Sequence, residues 1–384
     1  MPTPTHIFII AGEASGDVLG ARLMSALRAG HEDVKFTGIG GARMAEAGLA
    51  SNFPMQELAV MGLAEILPRI FALKRRISQT IAAIKASRPD IVVTIDSPGF
   101  CLRVLRGIDG AGIKRVHYVA PQVWAWRQDR VKHYPGLWDE LLCLLPFEPD
   151  FFAPHGLNPV FVGHPVLESG ADKGDSARFA AVHNLKAEAV PVVLMPGSRV
   201  TETSRLLPVF RQTMALLAGT TPKLQPVLAA ASGIADTVAA QTQDWPVRPI
   251  IVRDVAERYD AFAAARAALT KSGTSTLELA MAGVPMAVTY RVNPISAAMA
   301  RRMIKVKHVA MINLLANGAL VPELLQQDCT PEKLAATLHS LLTDASAATA
   351  QRPGFAAALS TLQAPCGSPS SAAARQILAC IQRP

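Results

Sequence analysis

The sequence predicts an α/β protein in which two doubly wound domains face a cleft. Short apolar runs rich in Ile and Val alternate with helical patterns, and a polar segment at residues 169–188 separates two such series. At about 150 residues per domain, a chain of 384 residues has room for two or three of them. We therefore expect domains at residues 1–168 and 169–345, followed by a tail at 346–384 that is rich in Ala and Ser. The tail ends in a predicted helix, which is a candidate to return to the first domain.

The composition is that of a globular protein that stays in the cytoplasm. Half of the residues are hydrophobic and 18% are charged, unlike a disordered chain. No apolar stretch of about 18 residues runs without a charge or a breaker, and the apolar start meets Glu13 too early for a signal peptide. The five cysteines are scattered and the nine histidines form no ligand pattern. We therefore expect no disulfide framework, no metal site and no bound cofactor.

The net charge of +8 favours anionic partners, either phosphate groups or an anionic membrane surface. Charge alone does not choose between these two. Nucleic acid is the weaker option, because the chain has no recognised nucleic-acid motif and its basic residues accompany apolar runs.

The first domain begins with an apolar strand, a glycine turn and a helix. The turn lies within AGEASGD at residues 11–17 and lacks the G-x-G-x-x-G spacing of a nicotinamide site. Residues 91–95 form a continuous β-branched run, as expected for a strand buried on both faces of a parallel sheet. Asp96 follows at the carboxyl edge, where open α/β sheets bind ligands. The predicted strands are 6–11, 34–39, 91–95, 116–119, 141–145 and 160–162, and the segment 58–87 is predicted to form one or two helices.

The second domain repeats the alternation without an evident sequence repeat. Its first predicted strand, at residues 192–195, leads into Pro-Gly-Ser-Arg at 196–199 and then into a helix. The further strands are predicted at 226–230, 249–252, 267–270 and 286–289.

The stretch at residues 269–280 has the pattern of a strand end, a small polar turn and a helix start. Its turn suits a phosphate group, because Gly273 lets the backbone approach a ligand and the free N–H groups near Ser275 carry partial positive charge. The alternative is a capping box, in which Ser275 and Glu278 satisfy backbone donors and bind nothing else.

Three further side chains are candidates for chemistry. Arg199 follows a strand and a glycine, where its guanidinium can bind phosphate oxygens; alternatively, it is a surface Arg paired with Glu202. Asp96 can take a proton from an attacking hydroxyl, or it caps the helix that begins after it. Glu13 is either an ordinary turn carboxylate or, if the domains close around a cleft, an active-site carboxylate.

Eight motifs, in one order from residue 11 to residue 326, together resemble those of bacterial lipid-A-disaccharide synthases. They are AGEASGD (11–17), IDSPGF (95–100), PQVWAWR (121–127), LPFE (145–148), GHP (163–165), PGSR-x-x-E (196–202), SGTSTLE (272–278) and INLLANGALVPELLQ (312–326). Each is weak alone, whereas the ordered series is specific. The resemblance implies the GT-B fold, which has two Rossmann-like domains, and catalysis without a bound metal.

The resemblance also implies a reaction and a set of site residues. The family joins UDP-2,3-diacylglucosamine to 2,3-diacylglucosamine 1-phosphate, releasing UDP and inverting the anomeric centre. By resemblance, Asp96 is the candidate base for the acceptor's 6-hydroxyl, with Glu13 nearby, and Arg199 binds the UDP phosphates. The remaining donor-site residues are Ser272, Gly273, Thr274 and Ser275 for the diphosphate, Glu278 for the ribose hydroxyls, and Asn313.

The chain departs from the family pattern at residues 99–101. After Asp96-Ser97-Pro98 the family more often has Asp-Phe-Asn, whereas this chain has Gly-Phe-Cys. The departure leaves Asp96 itself intact, so a catalytic role is expected for Asp96 and none is assigned to the three residues at 99–101.

An apolar series that turns basic at residues 74–76 has two interpretations. It is a helix packed on its own sheet, or it is an acyl-chain groove and a face that docks on the anionic inner-membrane surface. Acylated substrates favour the second, and peripheral membrane association is then expected. The residues of this apolar series are Met61, Leu63, Ile66, Leu67, Ile70 and Phe71. Trp124 and Trp126 have the same two interpretations: their side chains pack in the core, or they contact a sugar or an acyl chain.

Two other functions stay open at this point. One is another GT-B enzyme acting on a UDP-sugar, such as an epimerase, and the other is a non-catalytic peripheral membrane protein that binds nucleotides. Asp96 argues against the second, because a pure binding protein needs no base. Acyl-chain length and oligomeric state, including a homodimer, are left open by the sequence.

Overall fold

The chain folds into two compact α/β units. The computed structural model describes residues 4–31, 33–58, 63–293, 297 and 303–383, without the side chains of 63–70 and 232. The first unit comprises Met1–Pro165 and Leu362–Pro384, and the second comprises Val166–Thr361. The domain boundaries predicted from the sequence are 168 and 345, whereas in the structure the helix at 345–360 belongs to the second unit and only the last helix belongs to the first.

The first unit is built on a six-stranded parallel sheet with the strand order β2-β1-β3-β4-β5-β6. Its strands are β1 (Thr5–Ala11), β2 (Val34–Ile39), β3 (Ile91–Ile95), β4 (Lys114–Tyr118), β5 (Glu140–Cys143) and β6 (Pro159–Phe161). All five residues of β3 are buried, as expected for β-branched side chains between two helical layers. The six strands predicted for this domain are therefore confirmed, with bounds that differ by at most two residues.

Helices cover the sheet of the first unit. They are α1 (Ala14–Gly30), α2 (Ala42–Glu46), α3 (Leu63–Ser87), α4 (Pro98–Gly107), α5 (Glu148–Phe152) and, from the chain end, the last helix Pro369–Gln382. The last helix packs on α1, and the side chains of Gln376 and Arg383 donate to the buried carboxylate of Glu140 at 2.8 and 2.6 Å. The end of the chain is thereby tied to the first unit.

The second unit has the same plan, with the parallel order β12-β11-β10-β7-β8-β9. Its strands are β7 (Val190–Met195), β8 (Leu224–Ala229), β9 (Ile250–Val252), β10 (Ala267–Lys271), β11 (Met286–Tyr290) and β12 (Glu323–Leu325). Its helices are α6 (Ser176–Val182), α7 (Val200–Ala218), α8 (Ala235–Gln241), α9 (Val255–Ala264), α10 (Ser275–Met281), α11 (Met311–Ala316), α12 (Pro331–Thr343) and α13 (Ala345–Ser360), so the last helix of the chain is α14. The strand β12 was not among the predicted strands.

The topology of each sheet identifies its ligand-binding edge. An open α/β sheet binds ligands where the strand order reverses, outside the carboxyl ends of the two strands concerned. In the first unit these strands are β1 and β3, and in the second they are β7 and β10.

Among the described residues, no helix has the length and apolar character that crossing a membrane requires.

Candidate functional site

The reversal point of the first unit places Glu13 and Asp96 on neighbouring strands. Ala11, the last residue of β1, pairs with Ile95, the last residue of β3. Glu13 then precedes α1 as its N-cap residue, and Asp96 directly follows β3. The two carboxylates predicted as catalytic therefore belong to the same edge of one sheet.

The backbone turns sharply at Asp96. Both Asp96 and Ser97 have left-handed conformations, with φ of 49° and 46°, which cost free energy in residues other than glycine and often mark functional sites. The backbone N–H of Asp96 donates to the carbonyl of Tyr118 at 2.9 Å. Gly12 is required beside this turn, because a Cβ at that position would collide with the side chain of Ser97. The two loops are thus held in close contact.

Burial sets the electrostatics of this edge. Desolvation raises the pKa of Asp96, and a hydrogen bond from the backbone of Ser97 offsets part of that rise. Burial also raises the pKa of the Cys101 thiol, and the charges of Asp96 and Glu13 raise it further. Both carboxylates therefore lie close enough to act on the same thiol. Cys101 itself is fully buried and stays a neutral packing group beside them.

Two other carboxylates of the motifs have structural roles. Asp17 is buried and accepts hydrogen bonds from the backbone N–H groups of Gly41, Arg43 and Met44 at 2.7 to 3.1 Å, so it caps the start of α2. Glu148 accepts from two backbone N–H groups, at 2.9 and 3.0 Å, and from the indole N–H of Trp124 at 3.0 Å. Burial raises the pKa of Glu148 to about 7.

The two tryptophans of PQVWAWR differ in environment. Trp124 is buried and packs edge-on against Phe147 with 4.8 Å between ring centroids, so the core-packing interpretation is correct for it. Trp126 is 41% exposed, and the guanidinium groups of Arg127 and Arg130 lie over its ring at 4.8 and 5.8 Å. Trp126 is therefore available for contact with a ligand.

The reversal point of the second unit brings together three charged side chains. Arg199 follows β7 and donates from Nη1 to Oε1 of Glu202 at 3.2 Å. Lys271, the last residue of β10, donates from Nζ to the same oxygen at 3.0 Å. The ion pair that the sequence analysis offered as the alternative role of Arg199 is thus present, yet half of the Arg199 side chain is exposed. Lys271 was missed, because nothing in the sequence pairs it with Glu202.

The polar turn after β10 does not form a capping box. The N-cap residue of α10 is Thr274, whose side chain makes no cap hydrogen bond. The hydroxyl of Ser275 instead shares a hydrogen bond with Thr270 Oγ1 at 2.9 Å, and the hydroxyl of Ser272 donates to the carbonyl of Val309 at 2.6 Å. Gly273 has φ of 151°. The turn is therefore held from both sides, and the capping-box alternative is wrong.

Glu278 is engaged with α9 and not with the turn. Its Oε1 accepts from Arg258 Nη2 and from the hydroxyl of Tyr259, both at 3.1 Å. The carboxylate is 17% exposed. These two partners fix the orientation of the Glu278 side chain in the first turn of α10, directly after the candidate phosphate-binding turn.

Asn313 is fully buried. Its amide group donates to the carbonyl of Val321 at 2.9 Å and to Glu323 Oε1 at 2.8 Å, and its oxygen accepts from the N–H of Val321 at 2.9 Å. Glu323 in turn accepts from the backbone N–H groups of Val309 and Ala310. Asn313 thus fixes the segment whose carbonyl holds Ser272.

Most of the predicted membrane series lies outside the described residues. Met61 is not described, nor are the side chains of Leu63, Ile66, Leu67 and Ile70. Phe71, the last of the series, is 79% exposed. The basic residues after it differ in environment: Lys74 and Arg75 are exposed, whereas Arg76 forms a bidentate pair with Glu57 at 2.7 and 2.6 Å.

No group of three or more His, Cys, Asp or Glu side chains that could hold a metal occurs in the described part of the chain.

Comparison with solved structures gives the fold. The chain superimposes on a glycosyltransferase of kitacinnamycin with a TM-score of 0.64 at 18% identity, covering 99% of this chain and 100% of that one. It also superimposes on a UDP-GlcNAc 2-epimerase from Neisseria meningitidis bound to UDP-GlcNAc, with a TM-score of 0.63 at 12% identity and coverage of 97% and 98%. The fold is therefore that of GT-B enzymes, with two Rossmann-like domains.

Sequence comparison gives the family. The family model of lipid-A-disaccharide synthetase matches residues 7–374. The chain is 60% identical over 387 residues to a lipid-A-disaccharide synthase of Granulibacter bethesdensis, covering 98% of each chain. The chain belongs to the lipid-A-disaccharide synthetase family, and the family predicted from the eight motifs is confirmed.

Proposed function

We propose that the chain is an inverting glycosyltransferase that joins UDP-2,3-diacylglucosamine to 2,3-diacylglucosamine 1-phosphate, giving tetraacyl disaccharide 1-phosphate and UDP. The observation that carries this proposal is family membership over nearly the whole chain. A UDP-sugar epimerase shares only the fold at low identity, and fold alone does not define function.

Asp96 is the proposed base in this reaction. The acceptor's 6-hydroxyl passes its proton to the Asp96 carboxylate while its oxygen forms a bond to the anomeric carbon of the donor. The bond from that carbon to the UDP oxygen breaks, and UDP leaves with the electron pair. The raised pKa of Asp96 makes its carboxylate a stronger base than an ordinary surface Asp. Glu13, in the turn between the neighbouring strand β1 and α1, is assigned to the same acceptor edge.

The second unit is the proposed donor site. Arg199 binds the diphosphate, together with backbone and hydroxyl groups of Ser272, Gly273, Thr274 and Ser275. Both partners of Glu278 bind its Oε1, and we assign Oε2 to the ribose hydroxyls. Asn313 has no exposed atom, so its proposed role is to hold the segment that supports Ser272. These fixed dipoles and charges stabilise departing UDP.

Turnover with defined substrates tests the function. The purified chain is incubated with UDP-diacylglucosamine and the diacyl monosaccharide phosphate, and the products are separated. Release of UDP together with a disaccharide supports the proposal. A UDP-sugar epimer without UDP release would indicate an epimerase, and UDP binding without any product would indicate a binding protein.

Chelation is expected to leave turnover unchanged. The proposed mechanism stabilises departing UDP with Arg199 and backbone N–H groups, so it requires no divalent cation. Rates are measured with and without excess EDTA. Inactivation by EDTA that magnesium or manganese restores would show that a cation takes part.

We further propose that the chain binds the anionic inner-membrane surface through the first unit. Acyl chains keep both substrates in the bilayer, since each buried methylene contributes about 0.8 kcal/mol. Phe71 is exposed and is followed by the exposed cations Lys74 and Arg75. Each such cation contributes on the order of 1 kcal/mol near an anionic surface, so the binding weakens at high salt.

Replacing Ile66, Leu67 and Phe71 by Ser is expected to lower both liposome binding and turnover of long-chain substrates, because it removes apolar side chains from the docking face. Binding of UDP by the second unit should persist. Phe71→Ser alone is the companion variant, since replacing an exposed side chain changes folding stability little. Leu216→Ser, at an exposed apolar residue of the second unit, is the matched control. Wild-type liposome binding by both test variants would place the docking face elsewhere.

A further inference from the structure

Lys271, the last residue of β10, lies beside the phosphate-binding turn, and the proposed function above assigns it no role in donor binding. Its ammonium group donates to Glu202 Oε1 at 3.0 Å, and Arg199 donates to the same oxygen at 3.2 Å. One carboxylate oxygen therefore serves two cations. A structural ion pair would need only one of them.

The charges of this cluster do not cancel. Two cations and one carboxylate leave one formal positive charge at the reversal point of the sheet. Glu202 is buried, and its Oε2 has no hydrogen-bond partner among the described residues. Glu202 thus holds both cations at one point without neutralising them, which leaves a site suited to an anion.

The position of the Lys271 side chain relates it to both glycine turns. A Cβ placed on Gly273 would lie 3.6 Å from Lys271 Cε and 4.0 Å from its Nζ. A Cβ placed on Gly197 would lie 3.3 Å from Lys271 Cδ and would crowd Glu202. The lysine stem therefore runs along two backbone turns: the Pro-Gly-Ser-Arg turn that ends at Arg199, and the turn at residues 272–275 that the proposed function assigns to the diphosphate. Each turn has a glycine where the stem passes it.

We propose that Lys271 is a second phosphate-binding cation of the donor site. An ammonium group has three donors, of which Glu202 takes one. Another donates to a diphosphate oxygen of the nucleoside diphosphate donor and stabilises the charge that develops on it as the sugar departs. Arg199 supplies a planar fork and Lys271 a compact point charge, so the two cations are not redundant. This inference rests on the proposed donor site in the second unit.

The test compares UDP with uridine, because only UDP carries the phosphates. Both are titrated calorimetrically against wild type, Lys271→Met and Lys271→Gln, and folding is checked by thermal melting. Gln keeps a donor for Glu202 and removes the charge, so it separates charge from packing. We expect both variants to bind UDP roughly tenfold more weakly, as for loss of a charge-assisted hydrogen bond. Uridine affinity should stay that of the wild type.

Lys223→Met is the matched control, because Lys223 also pairs with a glutamate of the second unit, Glu188 at 2.8 Å, but at the exposed surface. It should bind UDP like the wild type. UDP affinity unchanged in Lys271→Gln would overturn the inference, as would equal losses for UDP and uridine. A wild-type protein that fails to bind UDP would instead overturn the proposed donor site itself.

Discussion

Replacing Asp96 by Asn is expected to lower turnover by roughly a hundredfold or more, while UDP affinity stays that of the wild type. Asn keeps the shape of the side chain and most of its hydrogen bonding, but it cannot accept the proton of the acceptor hydroxyl. The proposed UDP site lies in the second unit, which the substitution does not touch. Steady-state rates and UDP titration measure the two quantities separately.

Asp109→Asn is the control for this substitution. Asp109 is an exposed carboxylate of the same unit, paired with Arg115 at 3.0 Å, and it precedes β4 at the opposite edge of the sheet. Its replacement should leave turnover close to that of the wild type. Near-wild-type turnover in Asp96→Asn would remove Asp96 from the mechanism.

The pH profile of the wild type checks the same residue. Asp96 acts as a base only when it is ionised, and burial raises its pKa above the ordinary value of 3.8. The value of kcat/KM should therefore fall as the pH is lowered through this raised pKa, at a higher pH than for an exposed Asp. An acid limb that persists unchanged in the residual activity of Asp96→Asn would assign that limb to another group.

Replacing Arg199 by Ala is expected to weaken UDP binding by roughly tenfold or more and to lower turnover further, because in the proposed donor site the guanidinium both binds the diphosphate and stabilises departing UDP. Glu202 keeps Lys271 as a partner at 3.0 Å, so the substitution does not leave an isolated buried charge. Calorimetric titration with UDP gives the first effect, and single-turnover rates at saturating donor give the second.

Arg211→Ala provides the comparison. Arg211 lies on the same helix, α7, and pairs with Asp244 at the exposed surface at 2.9 Å. UDP affinity of this variant should match the wild type. If Arg199→Ala also matches the wild type, the assignment of Arg199 to the phosphates is incorrect.

Strands could be predicted from the sequence where burial on both faces restricts the strand to apolar or β-branched residues. The run at residues 91–95 is β-branched throughout because the strand is covered on both faces. β12 was missed because its three residues, Glu323–Leu325, show no alternation and lie only partly buried at the sheet edge. Short edge strands depend on pairing with a neighbour, which a local pattern does not record.

The sequence allowed us to predict which site residues lie near strand ends, but not which side chains they pair with. Asp96 directly follows β3 and Arg199 ends the short turn after β7, so their place at a carboxyl edge could be inferred. The link from Lys271 to Glu202 joins residues of two different strand–helix units, and no spacing rule connects them. Likewise, Asn313 carries an ordinary polar side chain in the sequence, and only the fold shows that every polar group of it is used internally.

The glycosidic linkage of the product tests the proposed inverting transfer to the acceptor's 6-hydroxyl. The disaccharide formed by the purified chain is isolated and its glycosidic bond is determined by NMR. The proposed mechanism predicts a bond from the donor's C1 to the acceptor's O6, with an anomeric configuration opposite to that of the UDP-sugar, because the 6-hydroxyl attacks as UDP leaves. Retention of the donor's anomeric configuration, or a bond to another acceptor oxygen, would contradict it.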